Sequence, residues 1–342
     1  MEKTRLGRTN LMVGRTAFGA LPIQRVDLDE SKLLLRKAYE NGVNFFDTAR
    51  AYSDSEEKIG NALHDVRQDI YIATKSMAKD NRSFIKDLET SLMNLKTDYI
   101  DIIQLHNPEI LPDPKDPGCL YSSMLKAKEK GMVRFIGITN HKLSNAISVA
   151  ESGLYDTVQF PLSSLSSNED LKLIEICRKN NVGLIAMKAL SGGLITNAST
   201  SFAFLRQFEN VVPIWGIQRE CELDEFLELE KSPPALDVNM LEIIRRDKKE
   251  LGGAFCRGCG YCLPCPAQIP IPMAARMSLL LRRAPYRDFL TDEWRGNMER
   301  IQDCTDCNNC KDHCPYGLDT PSLLKTMLDD YQKFYEEHRY DS

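Results

Sequence analysis

Eight short apolar runs alternate with amphipathic stretches between residues 15 and 230, and this alternation constrains the fold more than any other feature of the chain. Strands that are separated by helices pair in parallel, because a crossover helix returns the chain to the same edge of the sheet. The pattern predicts strands over 15–21, 44–49, 70–75, 99–106, 134–140, 157–162, 184–190 and 211–217.

The number of strand–helix units favours a barrel over an open sheet. None of the predicted helices opens with a G-x-G-x-x-G turn, which weighs against a doubly wound dinucleotide-binding sheet. We therefore predict a (β/α)8 TIM barrel of the α/β class. The first residues, KTRLGRTNLMVG, predict a small hairpin that turns at Thr9-Asn10 and plugs the barrel floor.

Residues that flank the amphipathic stretches predict where helices begin and end. Asp29, Ser31 or Ser55 are expected to cap helix starts, because their side chains accept hydrogen bonds from backbone N–H groups. Gly42 and Gly131 lie where helices should end.

Polar side chains occupy the carboxyl ends of several predicted strands. Reading those ends in order gives Asp47, Lys75, His106 and Asn140, with Gln159 inside the sixth strand. A single polar residue at a strand end is more often a satisfied structural group than a functional one. A barrel, however, gathers the carboxyl ends of its strands over one mouth, where the active sites of such barrels lie. We therefore expect these side chains to form one site.

The chemistry of these residue types is mutually consistent. An aspartate such as Asp47 can hold Lys75 by charge pairing, and the lysine can lower the pKa of a tyrosine by stabilising its phenolate. Tyrosine has an ordinary pKa of about 10, so a neighbouring cation makes it a usable proton donor. Tyr52 follows Asp47 closely, and His106 can hydrogen-bond a substrate oxygen. This set of groups suits protonation of an oxyanion as a carbonyl group is reduced.

Several separate motifs resemble the aldo-keto reductases. They are DTARAY at 47–52, Ser55-Glu56 leading to Gly60 and Leu63, ATK at 73–75, YIDIIQLH at 99–106 and GITN at 137–140. The resemblance covers roughly residues 4–230 and implies a catalytic tetrad of Asp47, Tyr52, Lys75 and His106. Tyr52 is then the general acid, and Lys75 is its activator. Asp47 pairs with Lys75, and His106 orients the carbonyl.

The same resemblance implies a nicotinamide cofactor at the mouth. It places Thr139, Asn140 and Gln159 against the nicotinamide carboxamide. The phosphates would lie on the loops after the seventh and eighth strands, which also form the general phosphate site of such barrels. These loops contain Ser191, Gly192 and Gly193, and then Gly216, Gln218 and Arg219.

Two features depart from the family pattern. The position after LIA in the seventh strand, often aromatic for stacking on the nicotinamide, is Met187. Basic residues around the adenosine phosphate are few, since Gln218 and Arg219 are followed by Glu220 and Glu222. A 2′-phosphate prefers arginine and lysine, whereas a carboxylate prefers a free ribose hydroxyl. NADP(H) is the family default, and NAD(H) is the alternative that these residues favour.

The cysteines mark a second module. The chain has 11 cysteines, and eight of them fall between Cys256 and Cys314. An odd count, together with a charged N-terminus in place of a secretory segment, argues against a disulfide scaffold and for metal or cluster binding in a reducing compartment. The remaining three, Cys119, Cys177 and Cys221, are scattered and are expected to be plain thiols.

The eight clustered cysteines fall into two runs, CRGCGYCLPCP over 256–266 and CTDCNNCKDHCP over 304–315. The second run has the spacing of a bacterial-type [4Fe–4S] site, and the first is one residue shorter before its last cysteine. The final cysteine of each run typically binds the other cluster. One cluster is therefore expected on Cys256, Cys259, Cys262 and Cys314. The other is expected on Cys304, Cys307, Cys310 and Cys265.

Zinc is the competing interpretation, because paired C-x2-C motifs also form four-thiolate zinc sites. Zinc requires only two pairs for each ion and no trailing Cys-Pro, so four cysteines in each run favour iron–sulfur clusters. The segment between the runs, 272–303, is helical in pattern and resembles the α-helical two-cluster ferredoxins. We predict a barrel over 1–232, a linker helix over 233–251 and a ferredoxin-like domain over 252–342.

The composition excludes several classes of function. A net charge of −5 without a basic run gives no reason to expect nucleic acid as a partner. No apolar stretch approaches the roughly 20 residues that a membrane span needs, so a cytoplasmic protein is expected. These features predict an NAD(P)H-dependent enzyme that interconverts a small aldehyde or ketone and an alcohol, with two [4Fe–4S] clusters in an electron-transfer, structural or sensing role.

Two other classes of function stay open from the sequence. The chain is an electron-transfer protein if the barrel serves as a docking or nicotinamide-binding platform for a redox protein partner. It is a regulatory barrel if the cofactor binds without turnover, although an intact tetrad counts against that interpretation.

Overall fold

The computed structural model describes residues 1–251, 255–283 and 285–340. The chain divides into two compact units, Met1–Ala189 with Ala198–Leu236 and Leu190–Asn197 with Asp237–Ser342. We call the first unit the barrel and the second the cysteine module. Gly252-Gly253, where the sequence predicts the start of the ferredoxin-like domain, lies outside the described residues.

The barrel begins with the predicted hairpin. Strands β1 (Lys3–Arg5) and β2 (Met12–Gly14) pair antiparallel, and Asn10 takes the left-handed conformation at the turn. Leu6, Leu11 and Val13 of the hairpin are buried in one apolar cluster with residues of the barrel strands. The hairpin therefore forms part of the barrel core, as the sequence predicts.

Eight parallel strands form the barrel, which confirms the predicted fold class. The strands are β3 (Ala17–Gly19), β4 (Phe45–Asp47), β5 (Tyr71–Ser76), β6 (Ile100–His106), β7 (Val133–Thr139), β8 (Thr157–Pro161), β9 (Gly183–Met187) and β10 (Val211–Gly216). Each strand pairs with the next in sequence, and β10 pairs with β3 to close the ring. All eight predicted strands are present, and each is slightly shifted or shortened at its ends.

Amphipathic helices follow the barrel strands. They are α1 (Leu28–Glu40), α2 (Ser55–Leu63), α3 (Asn81–Leu95), α4 (Leu120–Glu129), α5 (Leu143–Glu151), α6 (Asn168–Lys179), α7 (Ala198–Arg206) and α8 (Glu220–Lys231). Short 3-10 helices occupy Gly7–Thr9, Pro22–Arg25 and His64–Asp69. Gly42 and Gly131 follow the ends of α1 and α4 with positive φ angles, as predicted.

The predicted helix caps are wrong. Asp27, not Asp29 or Ser31, caps α1, because its carboxylate accepts the Glu30 N–H at 2.8 Å. Ser55 is the first residue of α2 rather than its cap, and its hydroxyl donates to the Ala20 carbonyl at 2.9 Å. Asp27 and Asp29 are both acidic and lie two residues apart. Because α1 begins at Leu28, only Asp27 is placed to accept from the free N–H groups of the first turn.

The cysteine module is helical. Its elements are α9 (Val238–Leu251), α10 (Ile271–Ala274), α11 (Met277–Arg283), α12 (Asp292–Glu299), α13 (Asn309–Asp312) and α14 (Thr320–His338), with 3-10 helices at Tyr286–Phe289 and Arg300–Asp303. An apolar core that includes Met277, Met298 and Leu324 also buries Cys262 and Cys310. Among the residues that the structure describes, no helix combines the length and apolar character that crossing a bilayer requires.

Candidate active site

Asp47 and Lys75 form a buried ion pair at the carboxyl ends of β4 and β5. Lys75 Nζ lies 2.6 Å from Asp47 Oδ1 and donates a second hydrogen bond to the Thr48 carbonyl at 2.6 Å. Lys75 is only 1% exposed and Asp47 2% exposed. Charges this deeply buried persist only when each has a partner, because leaving one unpaired is strongly destabilising. The strand ends on Asp47 because its carboxylate holds the lysine of the neighbouring strand.

Tyr52 lies on the loop between β4 and α2 and turns its ring toward this pair. Lys75 Nζ is 5.1 Å from the ring centre, and the ring packs edge-on against His106 at 5.7 Å. The structure therefore brings all four predicted tetrad residues together. Burial raises the pKa of Tyr52, and Lys75 acts in the opposite direction. The lowering effect expected from the lysine is present, but in the protein alone burial outweighs it.

His106 ends β6 and is held as a neutral imidazole. Burial, reinforced by the charge of Lys75, lowers its pKa to about 3. Its Nδ1 atom is buried and makes no hydrogen bond to any residue in the described part of the chain. A neutral ring can donate a hydrogen bond from one nitrogen without adding charge to the site, which suits the orientation of a carbonyl oxygen.

Gln104 is a site residue that sequence reasoning missed. Its Nε2 donates to Gln159 Oε1 at 2.8 Å, and Gln159 Nε2 lies 3.5 Å from Asp47 Oδ1. Gln104 Oε1 and Asp47 Oδ2 are buried without a hydrogen-bond partner among the described residues. The available signal was its position two residues before His106, since alternate residues of a strand face the same side.

Thr139 ends β7 and Asn140 follows it directly, and the structure gives the two residues different surroundings. Thr139 is buried and pairs in register with His106 and Gln159. Asn140 uses its side chain on the loop that follows, because Nδ2 donates to the Pro108 carbonyl and Oδ1 accepts the Lys142 N–H, both at 2.8 Å. In this structure Asn140 therefore shapes the loop at the mouth.

The predicted phosphate residues after β10 are engaged by a carboxylate. The backbone N–H groups of Gln218 and Arg219 both donate to Glu222 Oε2, at 2.9 and 3.1 Å. The Arg219 guanidinium donates to Glu222 Oε1 at 2.6 and 2.8 Å. Gly216 ends β10 immediately before this turn. Glu222 thus holds donors at the start of α8 that could otherwise bind an anion.

The predicted residues after β9 are divided between the two units. Met187 ends β9 and packs partly buried against the apolar cluster of the barrel. Ser191, Gly192 and Gly193 have consecutive positive φ angles of 51°, 69° and 90° and belong to the cysteine module. Within that module Arg276 Nη1 lies 3.5 Å from the Gly192 carbonyl oxygen.

Cysteines from both runs meet at one cavity in the cysteine module. Counting the space open to solvent, its volume is about 380 Å3, and its lining includes apolar residues such as Ile269 and Leu324. The cysteines that line it are Cys262, Cys265, Cys304, Cys307 and Cys310. The last two cysteines of the first run, Cys262 and Cys265, therefore line the same cavity as the first three of the second run.

The surroundings of two buried thiols show the same grouping. Burial raises the pKa of Cys262 to about 12, and Cys256 and Cys259 of its own run reinforce the shift, with a smaller contribution from Cys310 of the second run. Burial also raises the pKa of Cys310, and Cys304, Cys307 and Cys265 contribute in the same direction. Cys314 packs partly buried against the core of the module.

The donors at this cavity fit iron–sulfur clusters chemically. Cubane clusters are held by four cysteine thiolates, each on a separate iron atom. Within the described residues, no three His, Cys, Asp or Glu side chains converge where one metal ion would bind. Apolar side chains, thiols and the polar residues Thr305, Asn308 and Asn309 line the cavity, and its exposed cysteine is Cys307, which matches a cluster held at the edge of the module core.

Comparison with family models assigns both parts of the chain. Residues 10–226 match the aldo/keto reductase family, and residues 255–319 match the 4Fe-4S dicluster domain. The second match favours iron–sulfur clusters over zinc. Together the two matches cover the barrel and most of the cysteine module.

Individual proteins agree with the match to the aldo/keto reductase family. L-galactose dehydrogenase of Arabidopsis thaliana is 31% identical over 215 residues, which span 57% of this chain and 67% of that protein. Aldo-keto reductase YhdN of Bacillus subtilis is 26% identical over 58% of this chain and 62% of its own length. An aldo-keto reductase from Klebsiella pneumoniae, solved in complex with NADPH, superposes with a TM-score of 0.62 at 18% identity, covering 72% of this chain and 95% of that one. This last similarity concerns the fold alone.

Proposed function

The chain belongs to the aldo/keto reductase family and carries a 4Fe-4S dicluster domain, and from this premise we propose that it interconverts a small aldehyde or ketone and an alcohol with NAD(P)H. The observation that supports the proposal is the arrangement of four side chains at the barrel mouth. Lys75 is paired with Asp47 at 2.6 Å, and the Tyr52 ring lies 5.1 Å from Lys75 Nζ and 5.7 Å from the His106 ring. This arrangement suits proton transfer to a carbonyl oxygen.

Each tetrad residue has a role that its surroundings support. Tyr52 is the general acid, and the ammonium of Lys75 stabilises the phenolate that remains after proton transfer. Asp47 holds Lys75 in place. His106, neutral because its pKa is lowered to about 3, donates a hydrogen bond to the carbonyl oxygen and orients it.

The nicotinamide cofactor supplies the hydride when it is bound. The orphaned buried atoms Asp47 Oδ2, Gln104 Oε1 and His106 Nδ1 show that the mouth has polar groups to offer a ligand. Thr139, Asn140, Gln159 and Met187 are proposed to line the nicotinamide. Ser191, Gly192, Gly193, Gly216, Gln218, Arg219 and Glu222 are proposed to line the phosphates and the adenosine ribose.

NADH is the cofactor that the turn after β10 favours. Glu222 accepts both backbone N–H groups and the guanidinium at this turn. A carboxylate in that place repels a 2′-phosphate and can accept a hydrogen bond from a free ribose hydroxyl. NADPH is the default cofactor of the family, so the argument for NADH depends on Glu222 alone.

The two clusters are proposed to lie on the predicted cysteine sets. The cavity supports the set of Cys265, Cys304, Cys307 and Cys310. Cys256, Cys259, Cys262 and Cys314 are proposed for the other. The clusters exchange single electrons, whereas nicotinamide chemistry moves two, so carbonyl reduction requires neither cluster. Thiolate ligands of this kind favour a reducing compartment such as the cytoplasm.

An electron-transfer function is the second candidate. Cys307 is exposed, so a cluster on its set would lie near the surface, where a redox protein can approach. In that case the barrel serves as a nicotinamide-binding platform. Loss of turnover only when the clusters are lost, with the fold intact, would favour this candidate.

One comparison tests the leading proposal. Anaerobically purified wild type and Tyr52→Phe are assayed with NADH or NADPH and a panel of aldehydes. Removing a general acid is expected to lower kcat by about 10²- to 10⁴-fold, with unchanged cofactor affinity and iron content. Unchanged turnover in Tyr52→Phe would rule out the tetrad mechanism.

A further inference from the structure

A buried carboxylate behind the tetrad carries a further inference. Glu56, in the first turn of α2, is only 1% exposed, and the tetrad roles above do not use it. Its Oε1 atom accepts hydrogen bonds from Thr74 at 2.6 Å and Ser91 at 2.7 Å. Its Oε2 atom accepts one from Arg50, which also pairs with it by charge, and a longer one from Asn94 at 3.4 Å.

The partners of Glu56 lie next to catalytic residues. Thr74 directly precedes Lys75 in β5. Arg50 lies two residues before Tyr52, and its backbone N–H donates to the Lys75 carbonyl at 2.9 Å. Glu56 therefore contacts a neighbour of the proposed proton donor on one side and a neighbour of its activating lysine on the other.

Close approach of two helices gives Glu56 its position. A Cβ atom on Gly60 would lie 2.1 Å from the Asn94 carbonyl oxygen, so α2 and α3 touch through their backbones there. Glu56 lies one turn before Gly60, where its side chain reaches Ser91 and Asn94 of α3. The Glu56 carboxylate therefore accepts hydrogen bonds from α3 and also from Arg50, which lies on the loop that carries Tyr52.

We propose that Glu56, acting through Arg50 and Thr74, is a positioning residue that sets the distance between the Tyr52 phenol and the Lys75 ammonium. This inference rests on the proposed function. The loop from Thr48 to Asp54 is short, and the backbone bonds that join it to β5 lie at Thr48 and Arg50, before Tyr52. Their N–H groups donate to the Ala73 and Lys75 carbonyls respectively, and the Thr48 carbonyl accepts from Lys75 Nζ. Without the Glu56–Arg50 pair, we infer that the phenol moves away from the lysine.

A purely structural role makes a different prediction. A buried ion pair that only stabilises the fold would change the unfolding midpoint and leave the chemistry intact. Asp101 provides the matched control, because it is fully buried and accepts from Arg67 at 2.7 Å and Arg134 at 2.6 Å in the same barrel. Asp101 also accepts the Ile72 N–H of β5 at 2.9 Å, and none of these three partners is adjacent in sequence to a tetrad residue.

The test compares Glu56→Gln, Arg50→Met and Arg50→Lys with Asp101→Asn. Because small misplacements of catalytic groups are costly, Glu56→Gln and Arg50→Met are expected to lower kcat by about 10- to 100-fold. The aldehyde KM should change less than about threefold, since ground-state binding is not altered. Arg50→Lys keeps the charge and should recover most of the rate. Asp101→Asn should lower the unfolding midpoint without lowering kcat.

A second readout does not depend on turnover. Ultraviolet titration of each variant against its Tyr52→Phe counterpart isolates the Tyr52 phenol. In Glu56→Gln and Arg50→Met its pKa should rise relative to wild type, because the lysine that stabilises the phenolate is farther away.

Three outcomes are distinguishable. If Glu56→Gln and Arg50→Met lower only the midpoint, with kcat and the phenol titration as in wild type, the inference is overturned. If Tyr52→Phe keeps its turnover, the proposed function fails, while the phenol titration still reports whether Glu56 positions Tyr52. Should Glu56→Gln fail to fold, Arg50→Met supplies the same test, because the Arg50 side chain is 23% exposed.

Discussion

The barrel mouth and the cysteine cavity are both polar sites beside apolar cores, but they differ in what neutralises the charge of their polar side chains. At the mouth the chain supplies both charges of the ion pair, since Lys75 lies 2.6 Å from Asp47. In the cavity, thiols from both runs line one space, and burial raises the pKa of Cys262 to about 12. A bound iron–sulfur cluster would hold such thiols as thiolates, so in the proposed state the balancing positive charge would come from iron rather than from a side chain.

This difference in charge balance indicates which interactions hold the side chains of each site in place. The mouth is organised by hydrogen bonds and charges within the protein, so its arrangement should not depend on a bound group. The arrangement of the cysteines around the cavity should depend on the bound clusters, because the free energy of binding a metal group adds directly to the free energy of folding. The following experiments test this contrast.

The largest effect is expected when cluster ligands are removed. The double variant Cys304→Ser, Cys307→Ser should lose about half of the iron and acid-labile sulfide, because one of two four-thiolate sets is incomplete. Its cysteine module should unfold at lower temperature, while aldehyde reduction stays within about twofold of wild type if the mouth is self-organised. Iron analysis, calorimetry and anaerobic assays check these outcomes.

Cys119→Ser, Cys221→Ser is the matched control, since neither thiol belongs to a run. Full iron content in Cys304→Ser, Cys307→Ser would contradict the proposed ligands. A complete loss of aldehyde reduction with a folded barrel would break the contrast and favour electron transfer.

The next largest effect should come from breaking the ion pair at the mouth. Lys75→Met leaves the buried Asp47 without its cation and is expected to cost about 3–5 kcal/mol of unfolding free energy. Urea denaturation measures this loss. Lys128→Met removes a partly exposed pair with Asp156 and should cost only about 0–1 kcal/mol. Equal losses in the two variants would show that the mouth is not organised by its charge pair.

A smaller effect is expected at the turn after β10. Glu222→Gln removes the negative charge that holds the Gln218 and Arg219 N–H groups. The ratio of kcat/KM with NADPH to that with NADH should rise about tenfold, which corresponds to about 1.4 kcal/mol. Glu225→Gln, an exposed substitution on the same helix, is the control. An unchanged ratio would remove the argument for NADH.

The smallest effect concerns acid stability. Since the pKa of His106 is lowered to about 3 in the folded protein, this residue stays neutral there while the unfolded chain protonates it below about pH 6.5. Unfolding therefore takes up a proton in this range, and stability falls as the pH falls. Between pH 7.5 and 5.5, His106→Asn should lose about 1 kcal/mol less than wild type in urea titrations. The control is His64→Asn, which removes an exposed histidine. Equal losses in His106→Asn and wild type would contradict the neutral imidazole.

Much of the fold was predictable because the signals were local. Short apolar runs predicted all eight strands of the barrel. The polar residues at the carboxyl ends of these runs, Asp47, Lys75 and His106, were recognised as site residues from their positions alone. Tyr52 required the family resemblance, since it lies on a loop rather than on a strand. The spacing of the cysteines likewise identified the second module.

The features that escaped prediction depend on contacts between distant segments. Gln104 looks like one polar interruption of a strand until Gln159 is placed beside it. Glu56 belongs to a motif that resembles the family, but its burial and its contacts with α3 are visible only in the fold. Glu222 was expected to influence the choice between NADH and NADPH. Its hydrogen bonds from the backbone N–H groups of Gln218 and Arg219, however, depend on the fold of the turn. Spacing along the chain carries no direct information about such contacts.

The hairpin at the barrel floor has a consequence for biosynthesis. Arg8 donates its backbone N–H to the Asn181 carbonyl at 2.7 Å and its guanidinium to the Asn180 carbonyl at 2.7 Å. These partners lie between α6 and β9, so the hairpin cannot complete its docking until the chain has been synthesised at least as far as residue 181. Contacts of such long sequence separation form late and slowly. Leu6, Leu11 and Val13 share their apolar cluster with Ile185, Val212 and Ile214, so their burial is complete only after the last barrel strand has been made. Until then the hairpin is a segment that a chaperone would be expected to shield.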